Sequence, residues 1–279
     1  MPAEKPSQDT PLVRSALLGA AGFAHGFSTR CGGVSPAPYA SLNLGGAVGD
    51  HPDHVAENLR RFGAAVGFDP AALHQVFQVH GRTVHRPGGG HAPEESARAE
   101  ADAVLASQAG VAVGIRVADC VPVLVGDPET GRAVAVHAGW RGVVAGVVAE
   151  AVAALEAPAR GALVAAVGPC IGPCCFEVGD EVAQAIAGAS EAGVVVPGRG
   201  SKPHVDLRRA VAAQLEALGV VQQERVGGCT VCESDRWFSF RREGLHSGRM
   251  LAVIVARAAR GKIAGPGSYV TEAVQGVKA

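Results

Sequence analysis

The chain has 279 residues, of which 48% are hydrophobic and 18% charged, so it can bury one large core or two modest ones. We expect one domain. The formal net charge is -1 and the basic residues are scattered, which excludes a nucleic-acid or anionic-membrane footprint and favours a small-molecule ligand. Seven cysteines without regular spacing are typical of reduced thiols in the cytoplasm, not of a secreted disulfide scaffold.

Both ends of the chain are polar and rich in proline or glycine. Residues 1–11 and 261–279 are predicted to be flexible tails around a single domain over 12–260. The apolar stretch 16–24 lacks the basic leader of a secretory signal, and no apolar run reaches the roughly 20 residues that span a bilayer. We therefore expect a soluble, cytoplasmic protein that binds neither membrane nor nucleic acid.

Helix and strand patterns alternate along this domain. The helix candidates are 53–66, 141–156, 178–189 and 206–218, the last with Asp206 as N-cap and Gly219 as C-terminal stop. Short β-branched runs without a polar face predict buried strands at 111–117, 121–125, 133–136, 162–167, 193–196 and 250–255. The pattern indicates an α+β fold, a single compact domain in which helices flank a mixed β-sheet.

Three residues of metal-binding types fall at strand ends. His80 closes a predicted strand over 75–79, Cys120 lies between two apolar strands, and His137 follows the strand 133–136. Two imidazoles and one thiolate suit zinc, and three protein ligands leave a position open for water or substrate. Spacing alone does not select this site. A cysteine between apolar strands is more often a small buried side chain, and a histidine at a strand end is more often a hydrogen-bonded residue of a turn. Cys120 can also act as a thiolate nucleophile with histidine as its base.

The other cysteines give weaker signals. Cys229 and Cys232 form a CxxC motif, but no second CxxC or histidine pair follows to complete a tetrahedral site. We interpret Cys229 as strand core and Cys232 as incidental. Cys170, Cys174 and Cys175 are interpreted as structural packing, because two adjacent cysteines rarely share one ion comfortably.

An ordered series of motifs covers roughly residues 23–256. The motifs are HGFSTRCGGVSPAPYASLNLG from His25, GDHPDHVAENLRR from Gly49, QVHG at 78–81, ADAVLAS from Ala101, VADCVPVL from Val117, AVHAGWRGVVAGV from Ala135, GPCIGPCCFEVGDEV from Gly168, KPHVDLRRAV from Lys202, CT at 229–230, FSFRREG from Phe238 and GRM at 248–250. In this order they resemble the laccase-domain family, also called multicopper polyphenol oxidase, peptidoglycan editing factor or purine nucleoside phosphorylase proteins. The ordered string is far more specific than any one motif.

The resemblance implies that His80, Cys120 and His137 bind Zn²⁺, with copper as a possible substitute. It also implies phosphorolysis of adenosine, inosine and methylthioadenosine to base and ribose 1-phosphate, with adenosine deamination as a side activity. A purine nucleoside and phosphate are then the binding partners. Asp119, next to one ligand, is expected to orient an imidazole or to shuttle a proton.

Phosphorolysis needs an anion site beside the ribose. Arg30 supplies positive charge, and the adjoining turn at Gly32-Gly33 can expose backbone N–H groups to an oxyanion. The alternative for this residue is a surface arginine. Asn43, Arg141 and Arg242 stand among glycines or aromatic residues, where ligand contacts are expected, although buried structural pairing suits Arg242 equally well.

Two further functions compete with phosphorolysis. Blue-copper oxidation needs several copper ions held by many closely spaced histidines. The ten histidines of the chain are scattered and it has two methionines, so it lacks these ligand clusters. A polyphenol oxidase in which copper replaces zinc is therefore the second candidate. A hydrolase that edits peptidoglycan precursors could use the same open zinc. A structural zinc module would need a fourth protein ligand, which the motifs do not provide. The oligomeric state is left open by the sequence.

Overall fold

The computed structural model describes residues 12–88, 90–198 and 200–260, so both predicted tails lie outside the described residues. The helices are α1 (Ala16–Ala20), α2 (Pro52–Val66), α3 (Pro93–Ser96), α4 (Trp140–Ala145), α5 (Val147–Ala154), α6 (Asp180–Gly188), α7 (Leu207–Ala217) and α8 (Phe240–Glu243). The strands are β1 (Leu12–Val13), β2 (His25–Ser28), β3 (Leu73–His74), β4 (Val84–His85), β5 (Ala103–Ala106), β6 (Ala112–Val117), β7 (Val121–Gly126), β8 (Ala133–Ala138), β9 (Val164–Val167), β10 (Val195–Val196), β11 (His204–Val205), β12 (Gln222–Arg225) and β13 (Met250–Val255).

The strands form two large mixed sheets and one two-stranded pair. One large sheet has the order β1-β2-β13-β6-β3, and the other has the order β12-β9-β7-β8-β5-β4. Parallel pairs stand beside antiparallel ones in both, namely β3 with β6 in the first and β12 with β9 and β4 with β5 in the second. The α+β class predicted from the sequence is confirmed, with two large mixed sheets in place of the single sheet expected.

The two large sheets pack face to face, and helices cover their outer sides. Along β13, Met250, Ala252 and Ile254 face the core between the sheets, whereas Leu251 and Val253 face a second core under α2. This alternation is the two-residue period of a strand. A third core packs the six-stranded sheet against α4, α5, α6 and α7. Because apolar groups cover both faces of β7 and β8, these strands have no polar side, as predicted.

Helix ends follow local capping chemistry. The side chain of Asp206 accepts the backbone N–H of Arg209 at 2.9 Å, and Gly219 follows α7 with a φ of 86°, as the predicted cap and stop require. The single helix predicted over 141–156 is divided into α4 and α5. Gly146 lies between them with a φ of 90°, in the left-handed region that a glycine adopts without strain.

The segment 75–79, predicted to be a strand, is irregular. Phe77 makes only a single bridge to Glu100. Side-chain hydrogen bonds replace a strand partner here, because the Gln78 amide donates to the carbonyl of Arg116 and accepts its N–H, both at 2.8 Å. The segment before His80 is therefore held by side-chain hydrogen bonds and not by a strand ladder.

Candidate active site

Three residues of the site, Asp102, Cys120 and His137, lie at neighbouring strand ends in the middle of the six-stranded sheet. Because β8 runs antiparallel to β5 and β7, its end lies beside the beginnings of both neighbours. Asp102 immediately precedes β5, Cys120 immediately precedes β7, and His137 is the fifth residue of β8. The backbone N–H of His137 donates to the carbonyl of Asp102 at 2.7 Å. The topology therefore brings together side chains that are far apart in sequence.

A buried carboxylate holds the loop that carries His80. Asp102 is fully buried, and its oxygens accept the backbone N–H groups of Val79, His80 and Gly81 at 3.3, 2.9 and 2.6 Å. His80 has a φ of 60°, a left-handed conformation that costs a non-glycine residue free energy. The three N–H contacts offset this cost and fix the direction of the imidazole.

The same carboxylate orients the second histidine. Nδ1 of His137 donates to Oδ1 of Asp102 at 2.7 Å, and both side chains are buried. Fixing the proton on Nδ1 leaves Nε2 as the lone-pair donor toward the site. Carboxylate–histidine pairs of this kind orient metal ligands in zinc proteins. Burial acts to raise the pKa of Asp102, but the contacts with His137 and the backbone N–H groups outweigh it and hold that pKa below its ordinary value.

The ligand atoms of His80, Cys120 and His137 all lie within 4.8 Å of one another. Nε2 of His80 is 3.9 Å from Sγ of Cys120, and the two imidazole centroids are 4.8 Å apart. Zinc bonds of about 2.0–2.1 Å to nitrogen and 2.3 Å to sulfur place tetrahedral ligand atoms about 3.6 Å apart. The residues therefore fit one zinc ion after a small contraction.

The thiol of Cys120 and the imidazole of His137 shift each other's pKa. Burial acts to raise the pKa of Cys120, but the charge on His137 and hydrogen bonds from both histidines lower it to about 6. Burial acts to lower the pKa of His137, but the Cys120 thiolate and the Asp102 carboxylate raise it to about 9. Near neutral pH the pair is thus a thiolate and an imidazolium. A metal ion entering the site must displace the imidazolium proton.

Glycine is required directly beside these ligands. A Cβ atom at Gly139 would lie 2.9 Å from Cδ2 of His80 and 3.1 Å from Sγ of Cys120. The absence of a side chain at this position is what allows the strand carrying His137 to approach the other two ligands. The glycine stands in the AVHAGWRG motif, and its role follows from the geometry alone.

The ligands lie in a pocket of about 600 Å³ with a basic and aromatic lining. This volume is in the range of small-molecule sites. The charged and aromatic residues in the lining are Arg116, Arg141, Arg241, Arg249, Asp119, Phe77, Trp140, Phe176 and Phe240. Phe77 and Phe240 are 60% and 47% exposed, so their rings remain available to a ligand.

The lining arginines differ in how they are held. Arg116 donates to the carbonyl of Leu44 at 2.8 Å and to Gln75 at 2.7 Å. Arg249 donates to two carbonyl groups of its own loop, and burial lowers the pKa of both arginines. Arg141 is exposed, with its guanidinium carbon 4.6 Å from the ring centroid of Trp140. The pocket therefore contains arginines held by backbone carbonyls and one exposed arginine that stacks on an aromatic ring.

Two predicted ligand-binding arginines are placed elsewhere. The guanidinium of Arg30 donates to the carbonyls of Ala40 and Ser234 and to Glu243, at 2.8–3.0 Å. Arg242 donates to the same carboxylate at 2.8 Å and to three carbonyl groups of the 230–237 segment. Neither lines the pocket described above. Their charge is compensated by one half-buried glutamate, Glu243, around which the two arginines hold the neighbouring loops together.

Asn43 is likewise placed in a structural network. It is fully buried, and its amide donates to Asp50 at 2.9 Å while its oxygen accepts the N–H groups of Gly45 and Arg249, both at 2.9 Å. It lies outside the pocket lining. Its influence on a ligand can only pass through the loop that it holds, which begins the lining at Gly45.

Asp119 lines the pocket, but its carboxylate contacts no imidazole among its hydrogen bonds within the described residues. It accepts the hydroxyl of Thr230 and the backbone N–H of Arg241, each at 2.6 Å. The orienting contact expected of it is made by Asp102 instead. The signal for Asp102 in the sequence is its place in ADAVLAS, immediately before an apolar strand, which is the same position that Cys120 has before its strand.

A buried carboxylate behind three metal-binding side chains, at the base of a basic and aromatic pocket, is the architecture of an enzyme active site. Residues 24–257 match the family described as multi-copper polyphenol oxidoreductase laccase, and the chain belongs to this family. It is 43% identical to purine nucleoside phosphorylase ORF3 of Streptomyces griseus, covering 81% of this chain and 91% of that one. It is 40% identical to purine nucleoside phosphorylase YfiH of Escherichia coli K12, covering 84% and 93%.

Solved structures agree with this assignment. YlmD from Geobacillus stearothermophilus is similar with a TM-score of 0.80 and 32% identity, covering 91% of this chain and 98% of that one. YfiH from Bacillus licheniformis is similar with a TM-score of 0.77 and 29% identity, covering 83% and 92%. Within the described part of the chain, no helix combines the length and apolarity needed to cross a bilayer.

Proposed function

We propose that this protein is a zinc-dependent purine nucleoside phosphorylase that acts on adenosine, inosine and methylthioadenosine, with adenosine deamination as a side activity. The convergence of His80, Cys120 and His137 at the base of the pocket is the observation that carries the proposal. The names of the two relatives, each of them a purine nucleoside phosphorylase, support the substrate class.

Three protein ligands define the chemistry available at the base of the pocket. When bound there, a zinc ion with an open fourth position activates water or polarises a substrate atom. Asp102 keeps Nε2 of His137 directed at the place the ion would occupy and holds the loop of His80. Of the two groups of potential metal ligands among the described residues, this one alone contains histidine, so the clusters of a multicopper oxidase are not supported.

Phosphorolysis also requires an anion next to the sugar. A phosphate oxygen forms a bond to C1′ as the bond to the purine nitrogen breaks, and the purine nitrogen takes the electron pair and then a proton. Arg141, Arg241 and Arg249 line the pocket, and guanidinium groups bind phosphate oxygens with paired hydrogen bonds. We assign the phosphate to these arginines in place of Arg30. Asp119 stays our candidate for moving the proton.

An apolar platform for the base is present at the same pocket. Phe77 and Phe240 are large hydrophobic residues that stay exposed although they line a concave site. Exposed aromatic rings of this kind stack on flat ligands, and a purine is such a ligand. The aromatic pair, the arginines and the His–Cys–His group therefore match the base, the phosphate and the reacting centre in turn.

The test is a product assay on the purified chain. Adenosine or inosine is incubated with and without phosphate, and released base and ribose 1-phosphate are separated chromatographically. We expect base only when phosphate is present, zinc in the purified chain by elemental analysis, and loss of activity in Cys120→Ala. The matched control is Cys31→Ala, a cysteine outside the pocket lining, which should retain activity.

Other outcomes separate the competing functions. Full phosphate-dependent activity in Cys120→Ala would show that the mechanism is wrong. Inosine formed from adenosine without phosphate, and no free base, would assign deamination alone. Oxidation of a phenol only after copper loading would assign the copper oxidase, and release of an amino acid from a peptidoglycan precursor would assign the editing hydrolase.

A further inference from the structure

Four cysteines from two separate turns converge outside the pocket. Cys174 and Cys175 lie in the turn at 172–176, whereas Cys229 and Cys232 come from the turn at 229–233. The four sulfur atoms all lie within 4.8 Å of one another, and Cys232 is 3.5 and 3.4 Å from the first two. The sequence interpretation treated these residues separately, as packing, strand core and an incidental thiol. In the structure, the adjacent pair Cys174 and Cys175 lies against the CxxC motif of Cys229 and Cys232, although it does not have CxxC spacing itself.

The sulfur positions match a single tetrahedral ion. Zinc–sulfur bonds of about 2.3 Å place neighbouring sulfurs of a four-thiolate site about 3.8 Å apart. A disulfide joins two sulfurs at about 2.05 Å, whereas Cys232 is almost equally distant from Cys174 and Cys175. A cluster of several iron ions would hold its thiolates farther apart than one ion does. Four soft sulfur ligands in this arrangement select zinc among the common divalent ions.

Backbone N–H groups support one of the four sulfurs, that of Cys229. The N–H of Gly172 donates to Sγ of Cys229 at 3.2 Å, and the N–H groups of Val231 and Cys232 also hydrogen-bond to that sulfur. Such hydrogen bonds orient and stabilise metal-bound thiolates. A Cβ at Gly172 would lie 3.2 Å from Cβ of Cys229 and 3.3 Å from Sγ of Cys174. A side chain at this position would therefore be tightly packed against two of the four cysteines.

We propose that the chain holds a second zinc ion in a closed site whose ligands are Cys174, Cys175, Cys229 and Cys232. Four protein ligands leave no position for substrate, so the ion is structural. The first turn ends at Phe176, which lines the pocket together with Arg241. Arg241 also donates to the carbonyl of Cys175 at 3.1 Å. An ion held by the four cysteines therefore fixes Cys175, and through it Phe176 and Arg241, and no ligand of the first site takes part.

Metal stoichiometry tests the proposal. The full chain is expressed in zinc-supplemented medium, purified anaerobically with reductant, and analysed for zinc per chain by mass spectrometry of the metal. We expect two zinc ions in the wild type, one in Cys232→Ser and one in Cys120→Ser. The matched control Cys31→Ser, outside both groups, should retain two. Two ions in Cys232→Ser, or one in a wild type that loses it in Cys120→Ser, would overturn the second site.

Thiol protection gives an independent measurement on the unmodified chain. Cys174 and Cys232 are exposed, so without a bound ion both sulfurs are accessible to an alkylating reagent, whereas a metal-bound thiolate is protected from it. We expect peptide mapping to find both unmodified until a zinc chelator is added, and alkylated afterwards. Rapid alkylation before chelation, or a disulfide between the two turns, would contradict the proposal. Because this measurement uses the wild-type chain, it holds even if Cys232→Ser fails to fold. Neither outcome bears on the phosphorolysis assay, so the two proposals can fail separately.

Discussion

The two cysteine-containing groups of this molecule are built in different ways. Cys120 and His137 stand at strand ends of a sheet that is covered by apolar cores on both faces. The buried carboxylate of Asp102 accepts a hydrogen bond from the imidazole of His137 and another from the backbone of His80. The four-cysteine group instead joins two turns, and its nearest supports are backbone N–H groups. One group is positioned by the fold, and the other helps to position parts of the fold.

This difference separates two uses of a metal. A site whose ligands are already fixed by a sheet can leave one coordination position open, because the ion is not needed to hold the protein together. A site that joins two turns uses all four positions for protein ligands, because its stabilisation comes from closing the loops. The open group lines the pocket, and the closed group contacts the lining residue Arg241 through the carbonyl of Cys175. The predictions that follow test this contrast.

The largest expected effect is the pH dependence of zinc affinity at the open site. With the pKa of Cys120 at about 6 and that of His137 at about 9, the metal-free pair between these values is a thiolate and an imidazolium, and the Nε2 proton of His137 is the one that zinc must displace. Because zinc displaces that proton, affinity should rise about tenfold per pH unit between these values and more steeply below them. Competition with a chromophoric chelator in the Cys232→Ser background measures it. An affinity independent of pH over this window would show that His137 is already neutral.

Replacing the orienting carboxylate should have the next largest effect. Asp102→Asn removes the charge that holds the Nδ1 proton of His137 and supplies an amide donor where three backbone N–H groups point. We expect zinc affinity to fall about 10- to 100-fold, as for other orienting partners of metal ligands. The matched control is Asp119→Asn, whose carboxylate contacts Thr230 and Arg241. An equal loss of affinity in the control would show that the orienting role is misassigned.

A methyl group beside the ligands should have a smaller effect. In Gly139→Ala the new Cβ would meet Cδ2 of His80 at 2.9 Å and Sγ of Cys120 at 3.1 Å. Overpacking of about 1–2 kcal/mol on the bound state would weaken zinc about tenfold. Gly161→Ala is the matched control, because a Cβ there meets nothing within 4 Å. Unchanged zinc affinity in Gly139→Ala would mean that the ligands have room to separate.

The sequence predicted the elements that have a strong local signal. Apolar runs identified the buried strands β6, β7, β8 and β13, and Asp206 with Gly219 identified the ends of α7. The division at Gly146 was not predicted, because the helical pattern of apolar residues continues across it. The pairing of two sheets was equally hidden, since contacts between strands distant in sequence leave no periodicity.

At the site, the residue types alone could not distinguish ligand from support. Arginine and asparagine beside glycine suit a ligand or an internal network equally, and only the fold shows that Arg30, Asn43 and Arg242 are paired with protein groups. Asp102 acts through contacts with residues 21 to 35 positions away, which no local pattern records. The four-cysteine group was missed for the same reason, because its halves lie more than 50 residues apart.

The smallest expected effect is a local change in backbone exchange, and it tests the contrast most directly. Loss of zinc in Cys232→Ser should release the two turns, so the amides of Cys175 and Glu233, which close them at 3.0 Å, should exchange about tenfold faster. Loss of zinc in Cys120→Ser should leave those amides and strands β7 and β8 as protected as before, because apolar cores hold the strands. Hydrogen–deuterium exchange read by mass spectrometry compares both variants with wild type. Equally faster amide exchange in β7 and β8 of Cys120→Ser would show that the open site also depends on its ion for its shape. The distinction between a metal positioned by the fold and a metal that positions parts of the fold would then be lost.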